Sequence, residues 1–133
     1  MPIILAYVAS LVSFLALDAV WLTLMSDRLY KPAIGDLLAG KVDIVAAVLF
    51  YLIYIGGITA LATVPAAHTG AVPKAARTGA ILGFVAYATY DLTNAATLRQ
   101  WSWTITLADM GWGTFVTAVA AAAGCLVLTR VKA

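Results

Sequence analysis

Charged side chains make up only 11% of the 133 residues, and the chain has one histidine and one cysteine. So little charge excludes an ordinary soluble domain, in which about a quarter of the residues are charged. With His68 as the only histidine, one chain cannot build di-iron histidine boxes, a bis-histidine haem or a His-x-x-x-His zinc site. His68 therefore reads as a solvated loop residue. Cys125 lies in an Ala-rich run and has no partner for an intrachain disulfide, so it reads as a small packing residue. Gly-x-Ser-x-Gly elbows and phosphate-cradling glycine loops are missing, which excludes the hydrolase and nucleotide chemistry they support. No cofactor, dedicated metal site or nucleic-acid partner is indicated. Met1, Pro2, Ile3 and Ile4 carry no basic side chain, so the first segment reads as a retained helix and not as a cleaved signal.

What the chain does have is apolar surface: 64% of its residues are hydrophobic and the mean hydropathy is +1.00. These values specify an all-α integral membrane protein, a single domain of four transmembrane helices. Its runs approach the twenty residues or so needed to cross a hydrocarbon core of about 30 Å. The spans are expected at about 3–25, 42–64, 74–98 and 104–128. The longest connection, 26–41, contains Pro32 placed to open a short helix and Gly40 placed to close it. With Ile34, Leu37 and Leu38 on one side, that helix should lie in the interface. Pro65 is expected to end the second span, and Trp101 and Trp103 to anchor the boundary between the third and fourth.

Three aspartates, Asp18, Asp91 and Asp109, fall inside these spans with no lysine or arginine nearby in the same span to neutralise them. An ionisable group within a bilayer costs about 2.5 to 3.5 kcal/mol even on the gentler scales, and usually marks function. Alternating spans put the end of the first helix, the start of the second, the end of the third and the start of the fourth on one membrane face, the loop face. At about 1.5 Å per residue, Asp18 and Asp91 lie about 10 Å, and Asp109 about 8 Å, inward from it. Tyr7, Leu11, Phe14, Asp18, Trp21 and Met25 form one stripe of the first helix; Gly83, Tyr87, Asp91, Asn94 and Leu98 form one of the third. Because a carboxyl facing lipid is penalised most, these stripes are expected to meet inside the bundle.

Two patterns recur around the acids: Asp-x-x-Trp at Asp18/Trp21 and Asp109/Trp112, and Tyr-x-x-Tyr at Tyr51/Tyr54 and Tyr87/Tyr90. Residues three apart share a helix face, so each Asp-x-x-Trp can offer a carboxyl and an indole N–H to one cavity. The tryptophans also fit a role as boundary anchors, and the tyrosines one as packing residues with a buried hydroxyl partner. Tyr54, about 18 Å from the loop face, would lie near midplane below the acids. The densest polar stretch is Tyr87-Ala-Thr-Tyr-Asp-Leu-Thr-Asn94. Gly79 and Gly83, and Thr114, Ala118 and Ala122 at steps of four, offer close helix contact within the chain or between chains.

The third-helix string Gly83-Phe-Val-Ala-Tyr-Ala-Thr-Tyr-Asp-Leu-Thr-Asn94 resembles a bacterial family of small predicted membrane proteins, the domain of unknown function DUF2177. Supporting strings are Leu17-Asp-Ala-Val-Trp21, Trp101 and Asp109-Met-Gly-Trp-Gly113. The resemblance implies a four-helix membrane fold in a bacterial inner membrane. It also implies a genomic setting beside enzymes that modify fatty acyl chains of membrane lipids. No activity follows from it.

The candidate site is therefore Asp18, Asp91, Asn94 and Asp109, bordered by Trp21, Tyr87, Tyr90 and Trp112, with Tyr54 beneath. Close carboxyls at low dielectric cannot all ionise, which is the physics of a proton-binding site. The same oxygens with Asn94 would also suit a hard cation. The leading expectation is proton- or ion-linked binding or transport of a small amphipathic or lipid-like molecule. A membrane-embedded enzyme or accessory subunit in lipid modification, a structural subunit of a larger complex, and a polar network that only fixes helix register are the alternatives. Arg28, Lys31, Lys41 and Arg99 lie on the loop face and Lys74, Arg77, Arg130 and Lys132 on the face with both termini, an even split. The termini are assigned to the cytoplasm because their face carries no acid. The same tie would fit an antiparallel homodimer.

Overall fold

The computed structural model describes residues 1–38 and 40–132. Among these residues four helices, and no strand, follow one another: α1 (Pro2–Leu37), α2 (Ile44–Ala67), α3 (Val72–Thr97) and α4 (Trp103–Lys132). Three of them, α1, α2 and α4, are long and apolar enough to cross a membrane. The 26 residues of α3 have the length, but its polar string lowers its hydropathy.

The helices outrun their expected ends for one reason, applied twice. A proline ring inside an α-helix strikes the carbonyl four residues back and removes a hydrogen bond. In α1 a π-helical turn at Ser26–Tyr30, closed by the Lys31 N–H on the Ser26 carbonyl, precedes Pro32. In α2 the same turn at Thr59–Thr63, closed by the Val64 N–H on the Thr59 carbonyl, precedes Pro65. The wider turn resets the hydrogen-bond ladder, so each proline enters at the start of a new α-helical turn, where its missing N–H costs little. The separate interfacial helix expected between Pro32 and Gly40, a stretch whose residue 39 lies outside the described residues, is instead the continuation of α1 to Leu37. Pro65 does not end α2, which reaches Ala67.

Side-chain caps fix two helix starts. The Asp43 carboxylate accepts the Ala46 N–H at 3.1 Å at the head of α2, and the Ser102 hydroxyl accepts the Ile105 N–H at 3.3 Å at the head of α4.

Helix α4 is the hub of the bundle: α3 runs along one side of it and α1 along another. Gly79 and Gly83 press α3 onto α4. A methyl group on Gly83 would collide with the Gly113 carbonyl and with Thr117, and one on Gly79 with Ala121 and the Thr117 carbonyl. The face of α4 used here is thus Gly113, Thr117 and Ala121, one residue round from the Thr114, Ala118, Ala122 set singled out from spacing. The apolar core, with Phe14, Ile55, Ile58, Ala62, Val116 and Cys125, lies toward the face with the termini, where the second half of α2 joins α3 and α4. The first half of α2 hardly touches α3 and exposes Ile44, Val45, Val48, Leu49, Leu52 and Ile53. Burial of one end and separation of the other make room for a cavity near the loop face.

The polar string of α3 is partly self-sufficient. Thr89 and Thr97 donate to the carbonyls of Val85 and Thr93 at 2.7 and 2.8 Å, and Thr93 donates to Thr89 and Tyr90. Hydroxyls bonded to their own helix can face hydrocarbon without an unmet partner.

Candidate functional site

The cavity between the four helices measures about 1160 Å³, larger than the roughly 300–1,000 Å³ of most ligand pockets. Its wall is mostly apolar and aromatic, and Asp18 from α1 and Asp109 from α4 supply carboxyls. Phe50 of α2 and Tyr90 of α3 both line it and are exposed, on two helices that hardly touch along the first half of α2.

Each wall carboxyl is held by donors from other helices. Asp18 accepts from the Tyr51 hydroxyl at 2.5 Å and from the Trp112 indole N–H at 3.2 Å. Asp109 accepts from the Tyr30 hydroxyl at 2.6 Å, and Tyr30 in turn accepts from the Trp21 indole at 2.9 Å. The two Asp-x-x-Trp motifs are therefore crossed: each tryptophan serves the acid of the other motif, Trp112 directly and Trp21 through Tyr30.

Most of the residues singled out from sequence line the cavity: Asp18, Trp21, Tyr54, Tyr87, Tyr90, Asp109 and Trp112. Tyr54 shares a 2.8 Å hydrogen bond with Thr117, and the Tyr87 ring lies flush against Gly113, where a methyl group would have no room. Asp91 and Asn94 are not on the wall. Asp91 follows Ala75, Gly79 and Gly83 on the buried stripe of α3 that faces α4, and it is wholly buried. Neither of its carboxyl oxygens has a hydrogen-bond partner among the described residues, and Asp109 is its acidic neighbour. Two carboxylates cannot donate to one another, so Asp91 is left without a donor among the described residues. Asn94 is half-buried, and its backbone carbonyl receives the Leu98 N–H that closes α3. Among the described residues no three His, Cys, Asp or Glu side chains come together to hold a metal ion.

Tyr30 and Tyr51 hold the wall acids yet were not among the expected site residues. Tyr51 was legible through its Tyr-x-x-Tyr pattern. Tyr30 was not, because it lies in the stretch read as a connection outside the bilayer. Trp101, expected as a boundary anchor, lines the cavity, packs edge-on against Tyr90 at 6.0 Å and donates to Thr106 at 2.9 Å.

No curated protein and no solved structure matches the chain. A family model described as "Predicted membrane protein (DUF2177)" matches residues 3–126, nearly the whole chain, and the protein belongs to that family.

Proposed function

We propose that this membrane protein binds a small amphipathic or lipid-like molecule in the cavity and couples its binding or movement to a proton held by the aspartates. One observation carries the reading: a large, mostly apolar cavity has the carboxyls of Asp18 and Asp109 on its wall, and Asp91, near Asp109, has no hydrogen-bond partner among the described residues. An apolar chain can enter between α2 and α3 while its polar end meets Asp18 and Asp109. A change in the headgroup bonded to Asp109 then changes how Asp109 and Asp91 share their proton, which links occupancy to pH. The assignment of the termini to the cytoplasmic side of a bacterial inner membrane rests on the acid-free terminal face and belongs to the same proposal.

The test is native mass spectrometry of protein released from nanodiscs of bacterial polar lipid. Wild type should retain an adduct of lipid or amphiphile mass, with occupancy that varies with pH. Ala86→Trp, which sets an indole into the cavity, should reduce its occupancy, and Asp109→Asn should keep an adduct that no longer responds to pH. A wild-type protein that emerges bare at every pH, or whose adduct occupancy is unchanged by Ala86→Trp, overturns the reading.

A further inference from the structure

The geometry points to a cationic occupant: an ammonium group on an apolar chain, seated at Asp18 and Asp109 among the aromatic rings of the cavity. This rests on the cavity being a binding site, as proposed above, and goes on to give the charge of the ligand.

The balance of charge on the wall is one-sided. Among the described residues Asp18 and Asp109 have no basic partner; their bonds come from neutral phenol and indole donors, which hold a carboxylate in place without cancelling its charge. Lys31, the basic residue among those lining the cavity, is at the rim, largely exposed, and paired with Asp27 at 2.9 Å. Asp43, also at the rim, is occupied as the cap of α2. A carboxylate or phosphate headgroup in the interior would face two acids with no cation to receive it. An ammonium would meet both.

The acids also have capacity to spare. A carboxylate offers about four acceptor positions. Among the described residues Asp109 accepts one bond, at Oδ1, and Asp18 two, one on each oxygen; a proton shared with Asp91 takes one further position on Asp109 and leaves others open. The wall also carries the rings of Trp21, Tyr87, Tyr90, Trp101 and Trp112, and quaternary ammonium groups are recognised over aromatic ring faces elsewhere. The source of the ammonium is either a single-chain amphiphile or the headgroup of a zwitterionic phospholipid. These differ in whether a phosphate accompanies the cation into the site.

Four dodecyl amphiphiles distinguish these outcomes: the trimethylammonium, the phosphocholine, the alcohol and the carboxylate. Each is titrated into wild-type protein in nanodiscs, with the saturable quenching of tryptophan fluorescence as readout and the non-saturable component subtracted as partition into lipid. The trimethylammonium compound should bind at least about tenfold more tightly than the alcohol, with the carboxylate weakest; Asp109→Asn should reduce this preference to within about twofold. Phosphocholine binding as tight as trimethylammonium identifies the zwitterionic headgroup as the source, and weaker binding identifies the single-chain cation; both support the proposal. Equal or tighter binding of the alcohol or the carboxylate overturns the cationic assignment and leaves the cavity as a binding site. If none of the four binds saturably, the proposed function itself falls. The wild-type comparison needs no folded variant.

Discussion

Trp21 and Trp112 stack face to face, with ring centroids 4.7 Å apart and planes 7° from parallel; Trp112 donates its indole N–H to Asp18, and Trp21 donates to the Tyr30 hydroxyl that in turn holds Asp109. The stack clamps α1 to α4 at the depth of the two wall carboxyls. It also makes the Asp-x-x-Trp pairs a single unit, so that disturbing one tryptophan is felt at both acids.

Replacing Trp112 with phenylalanine keeps an aromatic ring and removes one donor from Asp18. The variant should lose about 1 to 3 kcal/mol of stability, as expected when a charged group loses a buried hydrogen bond. Thermal unfolding in mild detergent measures it. Combining Trp112→Phe with Tyr51→Phe, which strips the second donor from the same carboxyl, should give a non-additive loss.

The proton proposed for Asp91 and Asp109 has a chemical signature. A hydrophobic carbodiimide attacks protonated carboxyls in apolar surroundings, so it should modify one of these two residues near neutral pH, and peptide mass mapping should locate the adduct on α3 or α4. In Asp91→Asn the carboxamide can donate to Asp109 directly; that variant should fold with wild-type stability and lose most of the labelling. Unchanged labelling would show that the proton resides elsewhere.

Close approach of α3 to α4 depends on the absence of a side chain at Gly83. Gly83→Ala should cost about 1 to 3 kcal/mol, the usual range for overpacking, because the colliding atoms include the Gly113 backbone. Gly57→Ala in α2 meets nothing within 4 Å and should be neutral or stabilising by up to about 1 kcal/mol. The difference between their unfolding temperatures separates packing from helix propensity.

The wide turn before Pro32 places Tyr30 over Asp109. Tyr30→Phe should leave the helices intact by circular dichroism and weaken binding of dodecyltrimethylammonium severalfold, since Asp109 then loses the donor that fixes its orientation. Unaltered binding would mean that the Tyr30 hydroxyl does not contribute to positioning.

Composition and periodicity were enough to specify four membrane-length helices and to turn Asp18, Asp91 and Asp109 inward. Both follow from costs that every bilayer imposes: apolar length must match its thickness, and an acid must avoid its lipid. These costs act on each segment separately, so they are readable one segment at a time. They do not say which neighbour satisfies a buried group. Whether Asp18 would be held by Tyr51 and Trp112, or Asp91 left behind Asp109 without a donor, depended on how the helices cross, and those crossings are set by the small residues Gly79, Gly83 and Gly113. The two prolines show the same division. Locally each signals a helix end, yet a π-turn two residues earlier carries the chain through both, and packing of the continued helix, with Ile34 buried beyond Pro32 and Ala66 beyond Pro65, makes continuation worthwhile. Membership of the bundle was decided by sequence; the partners within it were decided by tertiary structure, because hydrogen bonds and close packing depend on distances between segments far apart along the chain.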